Sequence, residues 1–131
     1  MSRIRKIAFE EHFSAVGFEA YSKAFVGQID PAAAAQLNAR LADFDAMRLQ
    51  DMDHAGIDYV ILSQTGPGVQ VEPDTTVAIA RARENNDFLA AKVAGNPSRF
   101  GGFASLPMQD PKAAADELER TVKELRSKSV V

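Results

Sequence analysis

Apolar and polar positions along the chain follow two different periods. Three short and largely apolar runs have the length and composition of β-strands; they are Lys6 to Glu10, Asp58 to Ser63 and Phe100 to Leu106. The second run is almost continuously apolar, which is typical of strands covered on both faces in a parallel sheet. Longer segments with a helical period separate the runs. We therefore predict an α/β fold of repeated strand–helix units, with parallel strands and right-handed crossovers.

Three long helices are predicted between and after these strands. The first spans Leu37 to Met52, where apolar side chains share one broad arc at about 100° per residue. The second spans Thr75 to Ala94 and has Asp74 as its N-cap. The third is opened by Asp110 as N-cap, with Pro111 at the first helical position. Its predicted apolar stripe consists of Ala114, Leu118, Val122 and Leu125.

The connection between the first strand and the first long helix is unusually long. It runs from Phe13 to about Gln36 and contains a possible short helix near Phe18 to Phe25. A long connection that follows a strand end often covers a binding pocket. The alternative is an irregular insertion with no such role, and the sequence leaves both open.

The candidate chemistry lies at the end of the first strand. Side chains alternate along a strand, so Glu10 and His12 are expected to share one side with Ala8, while Glu11 faces the other side. Ile7 and Phe9 are expected to pack against helices on that other side. Residues two apart on a strand lie roughly 7 Å apart, and carboxylate with imidazole is a ligand set for zinc, manganese or iron. A solvated Glu-Glu-His without a ligand role is the alternative.

Three further polar residues have predicted places. Arg48 lies in the middle of an apolar arc, so we expect a structural ion pair with Asp45 or Asp51 in preference to a substrate contact. Asn86, in the apolar face of its helix, is expected to bond to loop backbone. His54 lies between a helix end and the start of the second strand, so it belongs to the N-terminal ends of the strands, away from Glu10 and His12. We expect it to be solvated and not to bind a metal ion.

Composition excludes several classes of protein. The 131 residues suit one domain, and 46% hydrophobic with 25% charged residues is globular composition. A net charge of −3 without runs of like charge argues against a nucleic-acid partner. The longest uncharged stretch, Tyr59 to Val71, is too short to span a membrane, and the first residues lack the apolar core of a signal peptide. The chain has no cysteine, which is compatible with the cytoplasmic location that we expect.

Five segments in order carry a family resemblance. They are Ala8-Phe9-Glu10-Glu11-His12-Phe13, Arg48-Leu49-x-x-Met52-Asp53-x-x-Gly56-Ile57, Ile61-Leu62-Ser63, Asn86-Asp87-x-Leu89 and Phe103-Ala104-Ser105-Leu106-Pro107-Met108-Gln109-Asp110-Pro111. Up to about Leu125, the chain resembles the amidohydrolase-related metal-dependent decarboxylases. The branch that it resembles most is that of the γ-resorcylate and 2,3-dihydroxybenzoate decarboxylases.

This resemblance implies a (β/α)₈ TIM barrel with one divalent metal ion, zinc or manganese, at the C-terminal ends of the strands. The ligands of the first strand map onto Glu10 and His12. The implied reaction is the non-oxidative removal of CO₂ from a small hydroxylated aromatic acid, whose carboxylate and ortho-hydroxyl the metal chelates while a carboxylic acid protonates the ring carbon. Ser63 and Thr65 are candidate substrate contacts. Relatives often have Asn where this chain has Thr65, which puts the contact at Thr65 in question.

We expect residues 1–131 to form a partial amidohydrolase-like barrel domain of about three strand–helix units of eight. The remaining metal ligands and the proton donor are expected beyond Val131, and a fourth strand would begin at Val130 and Val131. The complete form is expected to be a homo-oligomer, and the short chain to be inactive alone. Two alternatives remain, namely a non-enzymatic remnant that associates with another barrel chain and a metal-dependent hydrolase of the same superfamily.

Overall fold

The computed structural model describes residues 4–125, apart from the side chains of residues 24–26. Three strands and five α-helices lie in this part of the chain. Their bounds are β1 Ile7–Phe13, α1 Glu19–Val26, α2 Pro31–Ala42, α3 Ala46–Ala55, β2 Tyr59–Gln64, α4 Thr75–Gly95, β3 Phe100–Gly102 and α5 Pro111–Lys123, with a short 3₁₀ helix at Gly68–Val71. The predicted helix near Phe18 to Phe25 is thus present as α1. The possible strand at Val130 and Val131 lies outside the described residues.

The three strands form one parallel sheet in the order β1-β2-β3. Each strand is joined to its neighbour by a segment that contains at least one helix, as the α/β prediction required. All three strands therefore end at the same edge of the sheet, and the loops that follow them are neighbours there. Within residues 4–125, no helix is both long enough and apolar enough to cross a membrane.

Strand β1 does not keep the predicted alternation of side chains. Ala8 pairs with Val60, but Glu11 pairs with Leu62, so that the register shifts between Ala8 and Glu11. The expectation that Ala8 shares a side with His12 was therefore wrong. So was the expectation that Ile7 and Phe9 pack against helices, because they remain 49% and 64% exposed, whereas Ala8 packs against the core.

Aromatic side chains form the centre of the core between the sheet and the helices. Phe13 at the end of β1 has its ring centroid 5.6 Å from that of Phe44 and 6.2 Å from that of Phe88. Phe44 also meets Phe100 of β3 at 6.2 Å, in the edge-to-face geometry that such rings favour. Strand β3 can approach α4 this closely only with glycine, because a Cβ at Gly102 would lie 2.4 Å from Leu89 Cδ2.

The predicted helix from Leu37 to Met52 is in fact two helices. It breaks at Asp43, which has extended backbone geometry and ends α2. The Asp43 carboxylate accepts hydrogen bonds from the main-chain N–H groups of Asp45 and Arg48, and Phe44 turns into the core. An aspartate whose side chain bonds to nearby backbone competes with the helix in this way. Because of the break, Leu37 and Met47 stay largely exposed and do not join one apolar arc.

The other two predicted helices begin where their caps indicated. The Asp74 and Asp110 carboxylates each accept two main-chain hydrogen bonds from the first turns of α4 and α5. Strand β3 is shorter than predicted, because residues 103–107 have no strand pairing. The predicted stripe on α5 was partly wrong. Ala114 is buried, but the residues that accompany it are Glu117 and Thr121, and Val122 is 51% exposed.

A polar network replaces that stripe between α4 and α5. Glu117 Oε1 accepts hydrogen bonds from Asn86 Nδ2 at 2.8 Å and from Arg120 Nη2 at 2.7 Å. Asn86 also donates to the carbonyl of Ser105 and accepts from its N–H, which confirms the predicted bond to loop backbone. Burial alone would raise the pKa of Glu117, but hydrogen bonds from Arg120 and Asn86 outweigh burial and lower it. The pairing with Glu117 raises the pKa of Arg120.

We predict that Glu117→Gln lowers the free energy of unfolding by about 2 kcal/mol, because it leaves a mostly buried guanidinium with Asp87 as its main partner. The matched control is Glu119→Gln on the exposed side of α5, which should cost less than about 0.5 kcal/mol. Urea unfolding measures both.

The lowered pKa also predicts a pH dependence. The stabilising contribution of Glu117 is complete above about pH 4.3, the pKa of an unfolded-chain glutamate, and is lost as the pH falls through its lower folded-state pKa. Glu117→Gln should therefore remove part of the acid sensitivity. If the variant loses as much free energy of unfolding at acidic pH as the unaltered chain, this role of Glu117 is contradicted.

Candidate functional site

The end of β1 carries the candidate metal ligands, and its backbone is irregular there. Phe9 and Glu10 together oppose Ile61 of β2, so β1 has one extra residue at this point, which is a β-bulge. Glu10 has φ +58° and is the one described non-glycine residue with a positive φ. This conformation costs about 1–2 kcal/mol for a residue with a Cβ, and such strain concentrates at functional sites.

The bulge decides which way the following side chains point. Ala8 and Glu11 pair with Val60 and Leu62, which lie on the core side of the sheet, whereas His12 pairs with Ser63 on the opposite side. Because Glu10 opposes Ile61, and Ile61 shares a face with Ser63 by alternation along β2, the register supports the prediction that Glu10 and His12 share a side. The predicted alternation thus holds from Glu10 to His12, and the extra residue changes only the side of these residues relative to Ala8.

His12 is exposed, and its imidazole ring and its main-chain carbonyl contact different neighbours. Its imidazole Nδ1 lies 3.2 Å from Ser63 Oγ, which is hydrogen-bond distance across the paired strands. Its main-chain carbonyl accepts a hydrogen bond of 2.8 Å from Arg48 Nη2. Glu10 is also exposed. Both groups are therefore accessible from one region at the C-terminal end of the sheet.

Arg48 is anchored by main-chain carbonyls and not by the ion pair that we predicted. Its guanidinium donates to the carbonyls of Asp43 and Arg40 as well as to that of His12. The predicted pairing was wrong, because Asp51 forms its ion pair with Arg40 at 2.8 Å. Burial lowers the pKa of Arg48, while the charges of Glu11 and Asp43 act in the opposite direction. Arg48 thus joins the α2–α3 junction to the end of β1.

The loops after β1 and β2 are tied together at the same edge. Thr65 N–H donates to the carbonyl of Phe13 at 2.8 Å, and Ala15 N–H donates to Gln64 Oε1 at 3.1 Å. Farther along, the Tyr21 hydroxyl of α1 donates to Glu72 at 2.7 Å; burial and this carboxylate raise the pKa of Tyr21. The long connection after β1 therefore packs against the segment that follows β2, beside the candidate ligands.

A cleft of about 310 Å³ opens between the loops after β2 and β3. Its lining includes Ser63, Phe103, Ser105, Leu106 and Met108. Two side-chain amides connect the loops that border it: Gln70 donates to the carbonyl of Leu106 and Gln109 donates to that of Val69. The cleft has the mixed apolar and polar lining that small-molecule sites share. Ser63 belongs both to this cleft and to the His12 contact.

The other histidine is not part of this region. His54 lies in the last turn of α3 and is exposed. This end of α3 leads into the N-terminal end of β2, at the other end of the strands from His12. In residues 4–125 there is no group of three or more His, Asp or Glu side chains placed to hold a metal ion. Among the described residues, the predicted ligands Glu10 and His12 are thus not joined by a third such side chain.

Sequence reasoning missed three parts of this arrangement, namely the bulge, the carbonyl contacts of Arg48 and the contact between Ser63 and His12. Only Arg48 had left a signal, since a guanidinium within an apolar arc must find buried acceptors. The bulge leaves no comparable signal, because a glycine at position 10 would have marked it and the chain has Glu10.

The chain is similar to known proteins over almost all of its length. A sequence profile described as amidohydrolase matches residues 12–130. A γ-resorcylate decarboxylase of a Polaromonas species is 50% identical over 120 residues, which is 92% of this chain and 36% of that enzyme. The chain therefore spans about one third of the length of this relative.

Solved structures give the same result. A Polaromonas dihydroxybenzoic acid decarboxylase with bound manganese and 2-nitroresorcinol matches at a TM-score of 0.85 and 48% identity, over 93% of this chain and 36% of that one. A 5-carboxyvanillate decarboxylase of Novosphingobium aromaticivorans with manganese matches at 0.87 and 33% identity, over 96% and 40%. The fold is thus part of an amidohydrolase-type TIM barrel, of which residues 4–125 form three parallel strands.

We predict that Glu10→Gly leaves the free energy of unfolding unchanged or raises it by up to about 1 kcal/mol, because glycine adopts positive φ without strain. Glu11→Gly is the matched control and should lower it by about 0.5–1 kcal/mol, since it places glycine in regular strand. Urea unfolding distinguishes the two. Equal destabilisation by both substitutions would contradict the view that Glu10 is kept for its carboxylate and not for stability.

Proposed function

This chain belongs to the amidohydrolase family, and from that membership we propose that it forms the first part of a metal-dependent decarboxylase of hydroxylated aromatic acids. The proposed substrate class is the dihydroxybenzoates, because the relatives that share 45–50% of its residues are γ-resorcylate decarboxylases. The observation that carries the proposal is the exposed pair Glu10 and His12 at the C-terminal end of β1, where such barrels have their active sites.

The donor set fits a divalent cation. Glu10 supplies a carboxylate in a strained backbone position, and His12 presents an imidazole whose Nδ1 already faces Ser63. We propose that these two residues hold one ion, zinc or manganese, together with ligands from outside residues 1–131. Manganese is the ion in the related structures. When bound, the ion would supply positive charge against the substrate carboxylate and its ortho-hydroxyl.

The remaining residues of the site would bind and enclose the substrate. The cleft beside Ser63 would take the aromatic ring, with Phe103 and Met108 in its lining. Thr65 lies at the entrance to the loop after β2 and is kept as a candidate substrate contact. The α1 connection, tied to Glu72 through Tyr21, would cover this edge and limit the access of water. The acid that protonates the ring carbon is expected from outside residues 1–131.

The proposal extends to the setting of the protein. We propose that residues 1–131 belong to a single barrel domain that this chain does not complete, that the complete form is a homo-oligomer, and that it works in the cytoplasm. The open edges of the sheet support an incomplete barrel. Strands β1 and β3 each have one side without a strand partner among the described residues, and such edges are normally paired or covered.

The direct test is a chimera in which residues 1–125 replace the matching segment of the Polaromonas γ-resorcylate decarboxylase. With manganese or zinc added, this chimera should release CO₂ from a dihydroxybenzoate. Glu10→Ala and His12→Ala should each lower kcat/KM by more than about 100-fold. An effect of about 100-fold is the most that is usual when a residue that only hydrogen-bonds to a metal ligand is removed. His54→Ala is the control and should change nothing. A folded, active chimera that tolerates both substitutions would refute the assignment of Glu10 and His12.

The 131-residue chain alone should bind manganese weakly and release no CO₂, because a catalytic site usually needs three protein ligands and the described chain offers two. Calorimetric titration with MnCl₂ and a CO₂ assay measure these two properties. Turnover by the chain alone, abolished by His12→Ala, would show that the missing ligands come from a second copy of the chain.

A further inference from the structure

Different neighbours hold the main chain and the side chain of His12. Pairing with β2 and the hydrogen bond from Arg48 Nη2 to the His12 carbonyl hold the main chain. Arg48 is itself fixed by the carbonyls of Asp43 and Arg40. With the main chain held, only the two side-chain torsions of His12 remain free. The contact of Ser63 Oγ with Nδ1 at 3.2 Å then determines the direction of the ring.

The chemistry of the imidazole gives this contact a second consequence. A neutral imidazole carries its proton on one nitrogen and its lone pair on the other. The hydrogen bond made by one nitrogen decides which form is present, and so decides whether the other nitrogen can bind a metal. A serine hydroxyl can either accept from Nδ1–H or donate to a bare Nδ1. Only the first arrangement leaves the lone pair on Nε2.

We propose that Ser63 is the positioning residue of His12: its Oγ accepts the Nδ1–H proton and so keeps the Nε2 lone pair available for the metal. The inference rests on the proposed function only for what Nε2 binds. The hydroxyl contacts His12 within the described structure. Arg48 acts with it by fixing the His12 carbonyl.

The first experiment uses the chain itself and needs no metal. Long-range ¹H–¹⁵N NMR of the imidazole nitrogens distinguishes the two tautomers of the neutral ring. The chain contains two histidines, and the exposed His54 serves as an internal reference for an unconstrained ring. We expect His12 in the Nδ1–H form. Ser63→Ala should shift its signals towards the mixture shown by His54, and Ser63→Thr, which keeps a hydroxyl on a residue suited to a strand, should restore them.

The second experiment measures the affinity for manganese in the chimera described above. Ser63→Ala should weaken binding by about 10- to 100-fold, the usual effect of removing the partner of a metal-binding histidine, and Ser63→Thr should restore most of it. Ser98→Ala, in an exposed turn that precedes β3, is the matched control and should bind like the unaltered chimera. The signals of the other residues show in the same NMR spectra whether each variant is folded.

The two proposals fail in different ways. If His12 is in the Nε2–H form, or if its tautomer does not respond to Ser63→Ala in a folded chain, the role of Ser63 is refuted even when the chimera is active. If the tautomer responds as expected but His12→Ala leaves decarboxylation unchanged, the orientation of His12 by Ser63 is supported and the assignment of His12 as a metal ligand is refuted. A loss of manganese affinity that Ser63→Thr does not restore would also count against the hydroxyl as the essential group.

Discussion

The extra residue in β1 is the constraint on which the arrangement of this site depends. Without it, every side chain after Phe9 would change sides, because side chains alternate with a period of two and a slip of one residue exchanges the faces. Phe13 would then leave the aromatic core, and His12 would point towards the helices. With the bulge, Phe13 is completely buried while His12 faces Ser63. The backbone strain at Glu10 is the local cost of satisfying both requirements.

Polar contacts connect the loops at the C-terminal ends of the strands, where the candidate site lies. Arg48 links the end of β1 to the α2–α3 junction through three carbonyls. Asn86 and Gln109 link the loop after β3 to α4 and to the segment after β2. Backbone carbonyls in loops have no ladder partners, so buried side-chain donors satisfy them at a fixed geometry. The loops that form the cleft are consequently placed by directional bonds.

The proposed function explains why the strained backbone at Glu10 and the polar contacts between the loops occur at the same end of the sheet. In the proposed function, Glu10 and His12 would hold the metal ion and the cleft near Ser63 would take the aromatic ring. The chain spans about one third of its relatives, so the remaining ligands and the proton donor are assigned to the rest of such a barrel.

The sequence by itself determined the order and type of the elements and the positions of the helix caps. Asp74, Asp110 and Pro111 acted as predicted, because capping and helical period are local properties of a few neighbouring residues. The resemblance of five short motifs also indicated the family that the comparisons confirmed.

Tertiary structure alone decided the features that depend on distant partners. The α2–α3 break at Asp43 follows from the burial of Phe44 and from the bonds that Asp43 makes to the first turn of α3. The buried face of α5 contains Glu117 and not Val122, since Asn86 and Arg120 satisfy its carboxylate. The bulge at Glu10 follows from pairing with β2, which must place Phe13 in the core. Each of these choices depends on residues far apart in the chain, and no local pattern encodes them.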